Sequence, residues 1–198
     1  MKVYDDMLQL VGNTPIVKIN GFTDNPKINI YAKLELYNPS GSVKDRIGYY
    51  MIEDAEKKGL LKEGSTIVEA TAGNTGLGIA FGALKKKYKI IFVVPTKFSP
   101  EKQQLMAAFG AEIVNTPREL GMKGAVEKAE EIRSKIPGAI SLKQFDNLSN
   151  PKAHYENTGR EIYEQLDGKI DYFVAGAGSG GTFSGIAKYI KERKKKMK

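Results

Sequence analysis

Short runs of β-branched and aliphatic residues alternate with longer amphipathic stretches along most of this chain, and that alternation constrains its fold more than any other feature. Thr66-Ile-Val-Glu-Ala70 precedes Gly76–Lys86, Lys89-Ile-Ile-Phe-Val-Val94 precedes Pro100–Phe109, and Glu112-Ile-Val114 precedes Gly121–Lys135. The order recurs with Ala139-Ile-Ser-Leu142 before Pro151–Leu166, and with Tyr172-Phe-Val174 before Phe183–Lys194. Strand–helix alternation predicts βαβ units, hence an α/β fold whose parallel sheets carry helices on both faces. In such sheets a ligand sits beyond the carboxyl ends of the strands, where loops run into helix N-termini. Asn147-Leu-Ser-Asn-Pro151 breaks the pattern and reads as a hinge.

Two residue counts narrow the chemistry. The 198 residues include no cysteine, which excludes disulfides, thiolate metal ligands and a cysteine nucleophile together. The one histidine, His154, argues against a His-rich metal site. Acid–base work at neutral pH then falls to a lysine of lowered pKa or to a cofactor. Met1–Gln9 holds no continuous apolar stretch, and no later apolar run is long enough to span a bilayer, so the expected location is the cytoplasm. The net charge of +8 is concentrated at one end: Lys188–Lys198 carries seven basic residues against Glu192 alone, leaving +2 for the rest. Only Tyr189 interleaves an aromatic ring with those charges, so a solvated helix end is favoured over a nucleic-acid-binding arm.

Three motifs could carry chemistry. In Asn38-Pro-Ser-Gly-Ser-Val-Lys-Asp-Arg46 a turn runs into a helix with Val43, Ile47 and Met51 on one face, placing Lys44 in the first turn. The positive end of the helix dipole disfavours an ammonium there, and an easily deprotonated lysine suits imine formation with an aldehyde. The alternative is an exposed helix lysine beside a capping turn. In Glu69-Ala-Thr-Ala-Gly-Asn-Thr-Gly76, glycines let the backbone approach a ligand while Thr71, Asn74 and Thr75 offer donors to a small anion. The alternative is a βα turn in which Asn and Thr cap the helix. In Gly176-Ala-Gly-Ser-Gly-Gly-Thr182, four glycines and two hydroxyls make a nest of N–H groups suited to phosphate, although a tight turn remains open. A dinucleotide reading of Gly176, Gly178 and Gly181 lacks a following strand to present the acidic residue that would hold a ribose.

In this order the motifs resemble the fold type II pyridoxal-phosphate enzymes, and the match to the cysteine synthase and cystathionine β-synthase family is close. It rests on Val11-Gly-Asn-Thr-Pro15, Asn38–Arg46, Gly73–Gly76, Glu101-Lys-Gln103, Gly110-Ala111, Gln144-Phe145, Asn150-Pro151 and Gly178–Thr182, an ordered set covering essentially the whole chain. The resemblance implies a tryptophan synthase β-like architecture in which residues 1–37 and 147–198 belong to a large, incomplete cofactor domain and 38–146 form a smaller mobile one. It implies Lys44 as the Schiff-base lysine and proton shuttle, Asn74 on the phenolic oxygen of pyridoxal 5'-phosphate, and Gly178, Ser179, Gly180, Gly181 and Thr182 around its phosphate. Thr71, Gly73, Thr75 and Gln144 are then the clamp on the substrate carboxylate.

The implied reaction is β-replacement on O-acetylserine or serine, with sulfide giving cysteine or homocysteine giving cystathionine. The partners are therefore an amino acid and a thiol, and full-length relatives are expected to be homodimers. Ala72 stands where cysteine synthases usually carry serine, and Pro95–Gln103 is more similar to the cystathionine β-synthase variant that accepts O-acetylserine. The family continues through further βα units, which contribute a hydroxyl residue facing the pyridine nitrogen, so this chain is expected to be C-terminally truncated and impaired in turnover. A dehydratase of the same fold and a non-catalytic binding module are the competing readings.

Overall fold

The computed structural model describes residues 3–71 and 73–195. Ala72, and Lys196 to Lys198 of the basic tail, lie outside the described residues. The chain divides into two compact units, one made of Lys44–Asn150 and the other of Met1–Val43 with Pro151–Lys198.

The unit 44–150 is built on three parallel strands, β3 (Thr66–Ala70), β4 (Lys89–Pro95) and β5 (Glu112–Thr116), in the order β3-β4-β5. Ile140 adds a parallel bridge to Ile67 on the outer side of β3, so the expected strand at 139–142 contributes one rung rather than a ladder. Neighbouring positions such as Ile67 and Val68, or Phe92 and Val93, are all fully buried. Burial at both parities requires cover on both faces, and it explains why these runs are continuously apolar rather than alternating. On one face Val68 and Val93 pack with Ala125 and Ala129 of helix α4 (Gly121–Lys135). Helix α1 (Lys44–Lys57) buries Ile47, Met51, Ile52 and Ala55, and α2 (Asn74–Gly82) is buried from Thr75 to Gly82. Helix α3 (Pro100–Ala108) starts where Ser99 accepts from the Lys102 N–H and Pro100 supplies the preset φ of a first helical residue.

The other unit holds an antiparallel pair, β1 (Ile16–Ile19) with β2 (Ile30–Lys33), and a helical run at 149–165 that enters it at Pro151. That run comprises α5 (Ser149–Ala153), a π-helical segment His154–Gly159 and α6 (Arg160–Gln165). Helix α7 (Gly181–Lys195) packs Ile186 and Ile190 against Ile162 and Ile170. The Val11–Pro15 motif is tied down here: Gly12 N donates to Asn38 Oδ1 at 2.8 Å, Asn13 N to Glu161 Oε1 at 2.9 Å, and Glu161 pairs with Lys33 at 2.7 Å. The expected strand at Tyr172–Val174 does not form; the segment has no ladder partner among the described residues, and Tyr172 and Val174 are 91% and 89% exposed. A β-branched run becomes a strand only when another backbone takes its hydrogen bonds, and no described strand pairs with this one.

Candidate active site

Lys44 opens α1, and two glycines fix where it stands. A Cβ at Gly48 would collide with the backbone of Gly78 and Ile79, and one at Gly78 would collide with the Lys44 carbonyl. The two helices therefore meet backbone to backbone, which seats the start of α1 against α2 and the loop that leads into α2. Lys44 is half-buried, and burial pushes its ammonium below the usual lysine pKa. The sequence reading anticipated that direction from the helix dipole; the cause in the structure is loss of water.

The loop before α2 carries the donors. Thr71 is almost fully buried and its Oγ1 accepts from Gly76 N at 3.0 Å, so its hydroxyl proton remains to be donated elsewhere. Thr71 thereby supplies the threonine cap that was one reading of this turn; the N-cap position itself is Gly73, with no side-chain cap. Thr75 Oγ1 donates to Gln144 Oε1 at 2.6 Å, which occupies the oxygen of that amide and leaves its NH2 as a donor. Asn74 Oδ1 accepts from Lys102 Nζ at 2.8 Å. The set is thus rich in outward-facing donors, which is what a carboxylate or a phenolate oxygen needs.

Two residues escaped the sequence reading. Glu69, at the end of β3 and only 4% exposed, accepts from Ser141 Oγ at 2.7 Å, Leu142 N at 2.8 Å and Lys143 N at 3.3 Å. It ties the backbone just before Gln144 to the strand from which the Thr71 loop departs. Its signal was visible: one carboxylate in an otherwise apolar, doubly covered strand needs fixed partners. Lys102 stands in Glu101-Lys-Gln103, a motif to which the sequence alone assigns no role.

Lys44, Thr71, Gly73, Asn74, Thr75 and Gln144 all line one cleft of about 1010 Å³ in the 44–150 unit. The glycine-rich turn belongs to the other unit. There Gly180 has φ +79, a left-handed value that explains one glycine, and Gly181 and Thr182 open α7. At Gly176 and Gly178 a Cβ would meet nothing within 4 Å, so packing inside the protein does not demand glycine. A group approaching the backbone would, and a turn entering a long helix suits a phosphate. Thr182 Oγ1 lies 3.1 Å from Nε2 of the buried His154, whose Nδ1 is 3.0 Å from Thr158 Oγ1, so the lone histidine braces this turn. Among the described residues no group of three or more His, Asp or Glu side chains could hold a metal ion, and no helix is long and apolar enough to cross a membrane.

An α/β fold with a half-buried lysine, a donor-lined cleft and, in its other unit, a glycine-rich turn at the start of a long helix suits a protein that binds an anionic aldehyde cofactor. The chain belongs to the family described as pyridoxal-phosphate dependent enzyme, which it matches over residues 7–198. It is 48% identical over 198 residues to the O-acetylserine dependent cystathionine beta-synthase of Bacillus subtilis, covering 100% of this chain and 64% of that one. Among solved structures it is similar to the O-acetylserine dependent cystathionine beta-synthase of Helicobacter pylori, with TM-score 0.91, 47% identity and coverage of 98% of this chain and 64% of that chain. It is also similar to the cysteine synthase of Entamoeba histolytica, with TM-score 0.92, 39% identity and coverage of 98% and 59%. The chain thus spans less than two thirds of the length of each of these relatives.

Proposed function

We propose that this chain is the part of a pyridoxal-phosphate enzyme that replaces the β-substituent of O-acetylserine, or of serine, with a thiol. The observation that carries the reading is the convergence of Lys44, Asn74, the Thr71–Thr75 loop and Gln144 on one cleft. Bound there, the cofactor would supply the electron sink that makes the substrate α-proton acidic. Lys44 would hold the cofactor aldehyde and would move the proton at the substrate Cα; its burial-lowered pKa suits both tasks. Asn74 donates to the phenolic oxygen. The Thr71 hydroxyl and the Gln144 NH2 hold the substrate carboxylate, while Gly178 to Thr182 bind phosphate through backbone N–H groups and two hydroxyls.

Borohydride reduction of the protein reconstituted with pyridoxal phosphate, followed by peptide mapping, tests the assignment. The label is expected on the peptide containing Lys44 and is expected to vanish in Lys44→Ala; a label on another lysine, or none in folded protein, refutes it. Product analysis with O-acetylserine plus sulfide, plus homocysteine, or without thiol identifies the nucleophile and separates replacement from dehydration.

A further inference from the structure

Lys102 lies in the first turn of α3 and reaches across to the loop before α2. A Cβ built on Gly73 would sit 3.7 Å from both Cδ and Nζ of Lys102, so the side chain runs alongside that glycine. Its ammonium donates to Asn74 Oδ1 at 2.8 Å, and it lines the same cleft as Asn74 and Lys44. An ammonium has three donors and no acceptor, so it can face only the oxygen end of an amide. With Oδ1 committed, the remaining polar group of Asn74 is its NH2, which can only donate. Without Lys102 the two ends of the amide would be free to exchange, and half the orientations would present an oxygen to an anionic ligand.

We propose that Lys102 is a positioning residue for the cofactor: it fixes the sense of the Asn74 amide so that the NH2 is the end offered, and it adds a positive charge near the oxygen that Asn74 holds. This rests on the reading of the cleft given above, in which that oxygen is the phenolic oxygen of pyridoxal phosphate.

The test compares Lys102→Met, which keeps the stem beside Gly73, with Lys102→Arg, Asn74→Ala and the double variant Lys102→Met/Asn74→Ala. In cofactor-free protein, the side-chain NH2 resonances of Asn74, assigned by their loss in Asn74→Ala, are expected to shift in Lys102→Met and to stay near the wild-type position in Lys102→Arg. Titration with pyridoxal phosphate is expected to show binding weakened about three- to tenfold by Lys102→Met, the scale of one charge-assisted hydrogen bond. Lys102→Arg should restore most of that loss, and the double variant should be no weaker than Asn74→Ala, because both changes remove one interaction. If Lys102→Met leaves the resonances and the affinity unchanged while Asn74→Ala weakens binding, the role of Lys102 is wrong and the cleft reading stands. If Asn74→Ala itself binds like wild type, the assignment of Asn74 fails and takes this proposal with it.

Discussion

Glu69 shows what a single buried group does for this site. Three donors converge on its Oε2, from Ser141, Leu142 and Lys143, and the next residue along, Gln144, is the one that Thr75 grips. Removal from water pushes the Glu69 pKa up from 4.5, and the hydrogen bonds from Ser141 and the following backbone only partly offset this. A carboxyl whose pKa is raised by folding binds protons more tightly in the native state. Its contribution to stability is therefore fully present below pH 4.5 and is lost as the pH rises through the native value. Glu69→Gln cannot titrate, so the stability of wild type minus that of the variant should fall between about pH 4 and about pH 7, with the other carboxylates cancelling in the difference. Urea unfolding of both proteins at the two pH values measures this. A difference that grows with pH would mean that the anion, not the acid, is the form the fold favours.

At the scale of elements, the junction of α1 and α2 decides where Lys44 can be. Gly78→Ala would drive a methyl group into the Lys44 carbonyl, where both partners are backbone and neither can turn aside. Overpacking of this kind costs about 3 kcal/mol or more when no flexible side chain can yield. The expected outcome is a lower unfolding midpoint together with weaker trapping of cofactor on Lys44, read by the same peptide mapping. Wild-type trapping and stability in Gly78→Ala would show that the close approach is not needed. Neither glycine stood out in the sequence, because a glycine inside a helix advertises flexibility and not the neighbour it admits. Strands β3, β4 and β5 were legible, since a strand covered on both faces must be apolar at every position. Strands β1 and β2 were not anticipated: each is only four residues long, half-buried to exposed, and pairs antiparallel outside the strand–helix alternation that marked the others. Tyr172–Val174 was overread for the complementary reason, as propensity can propose a strand but only a neighbouring backbone completes it. The helix expected over Pro151–Leu166 forms, but its π segment is invisible to periodicity; there Gly159 and Gly185 admit close approach to Ile186 and to Pro151 and His154. Lys44 and the Thr71–Thr75 loop stood out as motifs and Gln144 only through the family resemblance, whereas the partnerships Thr75–Gln144 and Asn74–Lys102 join residues far apart in sequence and needed the fold.

For the whole molecule, continuity in sequence separates the two compact units. Lys44–Asn150 is one uninterrupted stretch, whereas the other unit is assembled from residues on both sides of it. The continuous unit has its own core in Val68, Val93, Ala125, Ala129 and Ala139, and all three strands of its sheet are local neighbours joined by single crossover helices. Its end is anchored internally: Ser149 Oγ donates to Asp54 Oδ2 at 2.5 Å, and Asn150 Nδ2 to the Gln144 carbonyl at 2.9 Å. A core, short-range topology and fixed ends are the conditions under which a segment folds by itself. A polypeptide of residues 44–150 is therefore expected to unfold in urea as one cooperative transition, with coincident far-UV circular dichroism and fluorescence curves and a slope of about 1–2 kcal/mol/M. The complementary chain, residues 1–43 joined by a short linker to 151–198, has to close a gap that the continuous unit normally spans, and it leaves Tyr172 and Val174 in water. It should self-associate at concentrations where 44–150 stays monomeric, as sedimentation would show, and Val174→Lys should reduce that association. A broad, probe-dependent transition for 44–150 would mean that its stability is borrowed from the rest of the chain, and that the cleft cannot be treated as the property of one unit.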